Sequence, residues 1–181
     1  MKSVFLVSIL FLLLAGCGNK EKKTESAVPP TEQSERSKEP PLPYMQPTLR
    51  DLAAAVVEAV ADSNVDLLYN MMVTKDEYRD YVWANLDTVE VRGLTVDEVW
   101  GWNARDSDKA IGRMVGDYAH KEIQFTRLDP PRDIRTRGNI KVYRGNWIHV
   151  QPRDEQEEAT WRMINVVMEY QGWFKVITYD D

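Results

Sequence analysis

The apolar residues of this chain recur with two different periods, and the change falls near residue 120. Before it, Leu52, Val56 and Val60 follow the spacing of one face of a helix. After it, Ile123 and Phe125 alternate with polar residues, which is the period of a strand. Helices followed by strands are typical of an α+β domain. We therefore expect N-terminal helices packed on one face of a curved, mostly antiparallel sheet of four or five strands.

Local signals predict the boundaries of these elements. Thr74 and Thr95 each stand three residues before a glutamate, which is the spacing of a capping box at a helix start. Gly101 interrupts the helical pattern, so we expect Ser107 to cap a separate helix. The predicted helices cover 48–63 and 65–72 and begin again at 74, 95 and 107. The predicted strands cover 122–128, 140–143, 147–150, 160–170 and 173–179, with a hairpin turn at Arg144-Gly145-Asn146 and a polar loop at 152–158.

The N-terminal segment holds the one long apolar run of the sequence. After Lys2, residues 4–14 are apolar except for Ser8. This run is too short to span a hydrocarbon core, which needs about 20 residues. With small residues behind it, it has the dimensions of the hydrophobic region of a signal peptide.

Leu14-Ala15-Gly16-Cys17 ends this run and contains the only cysteine of the chain. The segment resembles a bacterial lipoprotein signal, in which the lipobox cysteine is diacylated and the chain is then cleaved before it. The resemblance implies lipidation at Cys17, a signal peptide that ends at Gly16, and export to the cell envelope. Gly18 after the cysteine implies the outer membrane in a bacterium with two membranes. In a bacterium with one membrane it implies the outer face of the plasma membrane.

Residues 17–47 differ in composition from what precedes and follows them. They are dominated by Lys, Glu, Ser, Thr, Gln and Pro. Such a segment cannot bury enough apolar surface to offset chain entropy, so we expect a disordered tether. A Pro-rich ligand for an aromatic groove is the alternative. The remaining residues, 48–181, have the size of one α+β domain.

Charge and the metal-ligating residue types exclude several classes of function. The net charge of the chain is −6, and an acidic exported domain is a poor match for nucleic acid, so we expect no nucleic-acid partner. His120 and His149 are far apart in sequence, and neither belongs to an HxxxH or HExxH motif. We therefore expect no metal and no other cofactor, with each histidine structural or facing solvent.

The stretch from Gly172 to Ile177, which contains the start of the last predicted strand, has the sequence Gly-Trp-Phe-Lys-Val-Ile and follows the long strand predicted over 160–170. With the order of helices and strands, it resembles the nuclear transport factor 2-like superfamily, which includes ketosteroid isomerases and scytalone dehydratases. The resemblance implies a cone: a curved sheet wrapped on a long first helix, with a pocket at the open end.

An isomerase-like enzyme would need a pocket carboxylate as base and a tyrosine or protonated aspartate to stabilise an oxyanion. The alternative is a structural role for these carboxylates: Glu98 completes a capping box, and Asp106 and Asp108 lie beside the cap at Ser107. We therefore predict no catalytic residue. The candidate carboxylates are Asp97, Glu98, Asp106 and Asp108, and the candidate tyrosines are Tyr118, Tyr143 and Tyr170.

Two further sets of residues are candidates for binding. Trp100 and Trp102 are expected to line a pocket or a partner surface, with core packing as the alternative. A local basic run is a candidate patch for an anionic partner, with solubilising charges at a sheet edge as the alternative. It comprises Arg127, Arg132, Arg135, Arg137 and Arg144, with Lys141 among them.

These features support three functional hypotheses. The first is a non-enzymatic surface lipoprotein whose domain binds a small apolar ligand or another envelope protein. The second is an isomerase- or dehydratase-like enzyme, which a buried Asp or His beside a Tyr in the cavity would favour. A cone plugged by tryptophans, without an ionisable group, would exclude it. The third is a structural or assembly partner in the envelope, held at the bilayer by acylated Cys17.

Replacing Cys17 by serine removes the thiol that the lipobox reaction acylates. We expect Cys17→Ser to leave the precursor unlipidated, because two acyl chains are what make membrane anchoring stable. Fractionation of cells that express each form measures this. A mutant that stays with the membrane fraction as the wild type does would remove the lipoprotein hypothesis.

Overall fold

In the described part of the chain, five antiparallel strands form an open sheet that four helices precede, so the predicted α+β class is confirmed. A computed structural model describes residues 39–87, 91–119, 121–153 and 157–180, all within one compact unit. The helices are α1 (Leu49–Ala61), α2 (Val65–Met71), α3 (Lys75–Glu77) and α4 (Val96–Tyr118); a π-helical turn (Tyr78–Val82) and a 3-10 turn (Trp83–Asn85) continue α3. The strands are β1 (Ile123–Leu128), β2 (Asp133–Arg137), β3 (Ile140–Pro152), β4 (Ala159–Tyr170) and β5 (Trp173–Tyr179).

The sheet is built on β3. β4 pairs along one edge of it, whereas β2 and β1 lie end to end along the other edge, opposite 140–144 and 148–152 respectively. β5 pairs with β4, so β4 is a central strand, as predicted from its long apolar run.

The hairpin predicted at Arg144-Gly145-Asn146 is wrong, because β3 runs through these residues without a break. Gly145 has a φ of +69°, and a Cβ there would lie 2.9 Å from the side chain of Arg132. The glycine therefore allows an irregular strand conformation and a close approach, and sequence alone does not distinguish this from a turn. The turn itself is the two-residue loop Gly138-Asn139 between β2 and β3.

One continuous helix replaces the two that were predicted after Thr95. α4 runs from Val96 to Tyr118, because one glycine inside a helix costs only about 1 kcal/mol, and Gly101 does not end it. Ser107 is not an N-cap. It is fully buried in the middle of α4, and its Oγ accepts a hydrogen bond of 3.1 Å from the backbone N–H of Tyr179. This bond fixes the middle of α4 to the end of β5.

Helices cover both faces of the sheet, which corrects the prediction of one covered face. Neighbouring strand residues point to opposite faces, and the consecutive Val167 and Met168 of β4 belong to two different apolar clusters. On the Val167 face pack α1, α2 and the C-terminal half of α4. On the Met168 face pack the helical turns after α3 and the N-terminal half of α4.

The domain begins before residue 48, so the predicted tether of 17–47 is too long at its C-terminal end. Leu42 and Met45 are buried in the cluster on the Met168 face. Gln46 forms two backbone hydrogen bonds of 2.9 Å with Phe174, which cover the outer edge of β5. The signal peptide, Cys17 and the tether as far as residue 38 lie outside the described residues.

No helix in the described ranges is long and apolar enough to cross a membrane.

A buried ion pair joins α3 to β5. The Lys175 ammonium group, in a residue only 1% exposed, lies 2.9 Å from both carboxylate oxygens of Glu77. The same carboxylate accepts a bond of 2.7 Å from the backbone N–H of Thr74, which completes the predicted capping box. The second predicted capping box, formed by Thr95 and Glu98, is also present, but its carboxylate lies at the surface.

Replacing Glu77 by alanine removes one partner of the buried pair and leaves Lys175 charged among apolar side chains. We expect a loss of about 3–5 kcal/mol in the free energy of unfolding, measured by urea denaturation. Glu98→Ala is the matched control, because it removes the corresponding glutamate of the other capping box, where no buried charge depends on it. We expect its loss in the free energy of unfolding to be clearly smaller. Equal losses in the two variants would show that capping alone, and not the buried pair, accounts for the effect of Glu77.

Candidate functional site

A cavity of about 450 Å³ lies on the Met168 face of the sheet, in the size range of small-ligand sites. Its roof is formed by the turns after α3 and by the first half of α4, and its floor by β3, β4 and β5. The apolar part of the lining is aliphatic and comprises Val82, Leu86, Val99, Val142, Val166 and Ile177.

Hydrogen-bonding groups converge on the same space. Tyr78 is only 3% exposed, and this burial raises the pKa of its hydroxyl, while contacts with Asn103 and Arg144 act in the opposite direction. Thr178 is also buried, and its hydroxyl finds no hydrogen-bond partner among the described residues. The polar lining comprises Tyr78, Asn103, Asp106, Arg144, Asn165 and Thr178, together with Tyr179, whose hydroxyl donates to the carbonyl of Leu68 over 2.7 Å.

Two regular spacings place these side chains at the cavity. On α4, Val99, Asn103 and Asp106 follow the spacing of one helix face. On β3, Val142 and Arg144 are two residues apart and so lie on the same face of the sheet. The arginine that was predicted in a turn therefore belongs to the cavity wall.

The isomerase-like alternative finds only part of what it needs in this cavity. Tyr78 is a buried hydroxyl, but the candidate tyrosines Tyr118, Tyr143 and Tyr170 lie elsewhere. Among the described residues, the only carboxylate of the lining is Asp106, whose side chain is 63% exposed and lies 3.7 Å from Arg105. A base must be enclosed with its substrate to act as the isomerases do, and Asp106 lies at the mouth.

The two candidate tryptophans do not plug the cavity. Trp100 is half-buried, its ring centroid lies 5.6 Å from that of Tyr78, and it lines a smaller pocket of about 170 Å³ beside Tyr69 and Asp108. Trp102 is 45% exposed on the outer surface of α4. Trp100 thus packs in the core and also lines a small pocket. Trp102 lies at the surface, where it was expected to line a pocket or a partner surface.

The predicted basic patch is divided among different contacts. Arg127 forms ion pairs with Asp129 and Glu158, and Arg135 pairs with Asp133 over 2.8 Å. The Arg132 guanidinium stacks over the Trp147 ring at 5.0 Å, and Arg137 donates to the carbonyl of Thr136. Among the five arginines only Arg144 lines the cavity. The other four arginines therefore contact other groups of the protein.

His149 is the centre of a second polar cluster, near the end of β3 that pairs with β1. It is buried, and not facing solvent. Its Nδ1 lies 2.9 Å from Arg127 Nη2 and 3.1 Å from both Thr160 Oγ1 and a Glu158 carboxylate oxygen. Its Nε2 lies 3.0 Å from a carboxylate oxygen of Asp129.

These contacts hold the two carboxylates of the cluster in the ionised form. The contact with His149 lowers the pKa of Asp129 below its usual range, with a smaller effect of Arg127. The hydrogen bond from the Thr126 hydroxyl lowers the pKa of Glu158, again with help from Arg127. The cluster ties β1, β3 and the start of β4 together, and it shares no residue with the cavity. His120, the other histidine, lies outside the described residues.

Across the described ranges, no group of three or more His, Cys, Asp or Glu side chains is arranged to hold a metal ion.

No protein-family model matches this chain, and no curated protein and no solved structure is significantly similar to it.

The lowered pKa of Asp129 makes a prediction about acid stability. A carboxylate whose pKa is lower in the folded than in the unfolded protein stabilises the fold at pH values above its pKa in the unfolded protein, which is about 4. This stabilisation is lost as the pH falls through the pKa of the folded protein. We expect Asp129→Asn to be less stable than the wild type at neutral pH and the gap to close as the pH falls below about 4. Denaturation curves across this range measure the gap.

The matched control is Glu58→Gln, which neutralises an exposed carboxylate of α1 that makes no ion pair with any described residue. Its stability relative to the wild type should stay nearly constant over the same pH range. A gap between Asp129→Asn and the wild type that stays constant down to about pH 3 would contradict the assignment of Asp129 as an ionised partner in this cluster.

Proposed function

We propose that this protein is an exported lipoprotein, anchored to the bilayer by acylated Cys17, whose α+β domain binds a small, largely aliphatic ligand in the cavity on the Met168 face. The cavity of about 450 Å³ is the observation that carries the ligand part of this proposal. Ligand sites are usually concave and combine apolar walls with convergent polar groups, and this cavity is lined by six aliphatic residues and seven residues with hydrogen-bonding groups.

The anchor part rests on the lipobox pattern that ends at Cys17. A single acyl chain gives only marginal membrane binding, whereas two give stable anchoring, which fits a lipoprotein that works at the membrane surface. The polar segment that follows can hold the domain away from the bilayer. With Gly18 after the cysteine, we place the protein at the outer membrane of a two-membrane bacterium, or at the outer face of the plasma membrane of a one-membrane bacterium.

We further propose that the domain is a variant of the nuclear transport factor 2-like cone. The order of helices and strands, the length of β4 and the Gly-Trp-Phe-Lys-Val-Ile sequence that opens with the Gly172 turn support this. The helical turns on the Met168 face are an addition to the implied plan of a sheet wrapped on its first helix. In this variant, the added turns and α4 form the roof of the binding site.

Binding of the neutral probe N-phenylnaphthylamine tests the proposed function. We expect one saturable site in the purified full chain, in non-ionic detergent, with the signal of detergent alone subtracted. Val99→Trp should weaken binding at least tenfold, because Val99 lies on α4 in the cavity wall and the larger ring fills the space.

Val65→Trp is the matched control, since it makes the same change at an exposed position of α2 outside the cavity. It should bind the probe as the wild type does, and circular dichroism should show that both variants are folded. Equal binding by Val99→Trp and the wild type, or no saturable binding at all, would contradict the proposed function.

A further inference from the structure

Arg144 carries an uncompensated positive charge at the cavity wall. Across the β2–β3 ladder its direct neighbour is Asp133, but the Asp133 carboxylate pairs with Arg135 over 2.8 Å. No carboxylate of the described residues lies within ion-pairing distance of the Arg144 guanidinium. In an acidic protein with a net charge of −6, such an arginine is available to a ligand.

A second observation points to the same space. The Thr178 residue is only 7% exposed, and its hydroxyl has no hydrogen-bond partner in the described part of the chain. Leaving a buried hydroxyl unpaired destabilises the ligand-free protein. Because Thr178 lines the cavity, a ligand oxygen that reaches this enclosed hydroxyl would supply the missing partner. Asn103 and Asn165 add further amide donors to the lining, so donors outnumber ionised acceptors.

The one negative charge of the lining does not cancel this preference. Asp106 lies at the mouth with its side chain mostly exposed, and the neighbouring Arg105 lies 3.7 Å away. Solvent and Arg105 both reduce its effect on a ligand inside. Arg144 is also exposed to solvent, but it has no ion-pairing carboxylate among the described residues, so its guanidinium is the charge offered to a bound head group.

Given the proposed function, on which this inference rests, we infer that the ligand is an anionic amphiphile with an aliphatic tail and a carboxylate or phosphate-ester head. The tail packs against the aliphatic wall of Val99, Val142 and Val166, and the head accepts from Arg144 and Thr178. Arginine suits both head groups, because its planar fork donates two parallel hydrogen bonds to carboxylate or phosphate.

Three ligands with the same tail test the inference: decanoate, decyl phosphate and decanol, each titrated into the full chain in competition with the neutral probe. At least one of the two anions should bind the wild type tenfold more tightly than decanol. Whichever anion binds more tightly identifies the head group. Arg144→Gln should weaken that anion at least tenfold and leave decanol unchanged.

Arg162→Gln is the matched control, since it neutralises an arginine of β4 that is paired with Asp180 over 2.7 Å and does not line the cavity. It should leave the preference for the anion intact. Thr178→Val should weaken the anion and at the same time raise the Tm of the ligand-free protein, because it removes an unpaired buried hydroxyl without changing the shape.

The outcomes separate this inference from the proposed function. If decanol binds as tightly as both anions, or if Arg144→Gln weakens decanol and anion equally, the anionic head is wrong while the cavity remains a ligand site. If neither the probe nor any of the three amphiphiles binds, the proposed function itself is contradicted.

Discussion

The buried ion pair between Glu77 and Lys175 is the interaction on which the second face of the sheet depends. Its two oxygen contacts of 2.9 Å join α3 to β5 across 98 residues of sequence. Without its partner the ammonium group would lie among apolar side chains at a cost of several kcal/mol. The turns after α3 are therefore held over the sheet, and they supply Tyr78, Val82 and Leu86 to the roof of the cavity.

Capping and packing combine at this point. Glu77 closes a capping box at the start of α3 and also pairs with a strand residue, so helix initiation and tertiary structure depend on one carboxylate. A small helix such as α3 has little stability of its own, because helix nucleation is costly. The contact with β5 stabilises α3. Because α3 is held in this position, the turns that follow it cover the cavity.

Local signals were sufficient to predict much of the fold. The two capping boxes, the long β4 and the Gln171-Gly172 turn were predicted from residue patterns that span only a few positions. The errors arose where tertiary contacts override such patterns. Gly145 lies inside β3, where the residues on both sides of it pair with β4 and Arg132 packs closely, and Ser107 lies inside α4, where it accepts from the end of β5. Neither partner is close in sequence.

The site was less predictable than the fold. The basic run suggested a surface patch, but the two-residue period of β3 extends through Val142 to Arg144 and places this one arginine on an apolar face. That alternation was visible in the sequence. The ion pairs that Arg127 and Arg135 form with carboxylates were not. Thr178 and Tyr78 gave no signal, because their roles depend on burial under helices that sequence patterns assigned to a single face.

The central claim is that the cavity on the Met168 face holds a ligand in the native protein. Native mass spectrometry of the full chain, purified from its own membranes, tests this most directly. The account predicts one extra small mass on the wild type that is absent from Val99→Trp. A wild type and a Val99→Trp variant with the same bound mass, or with none, would contradict it.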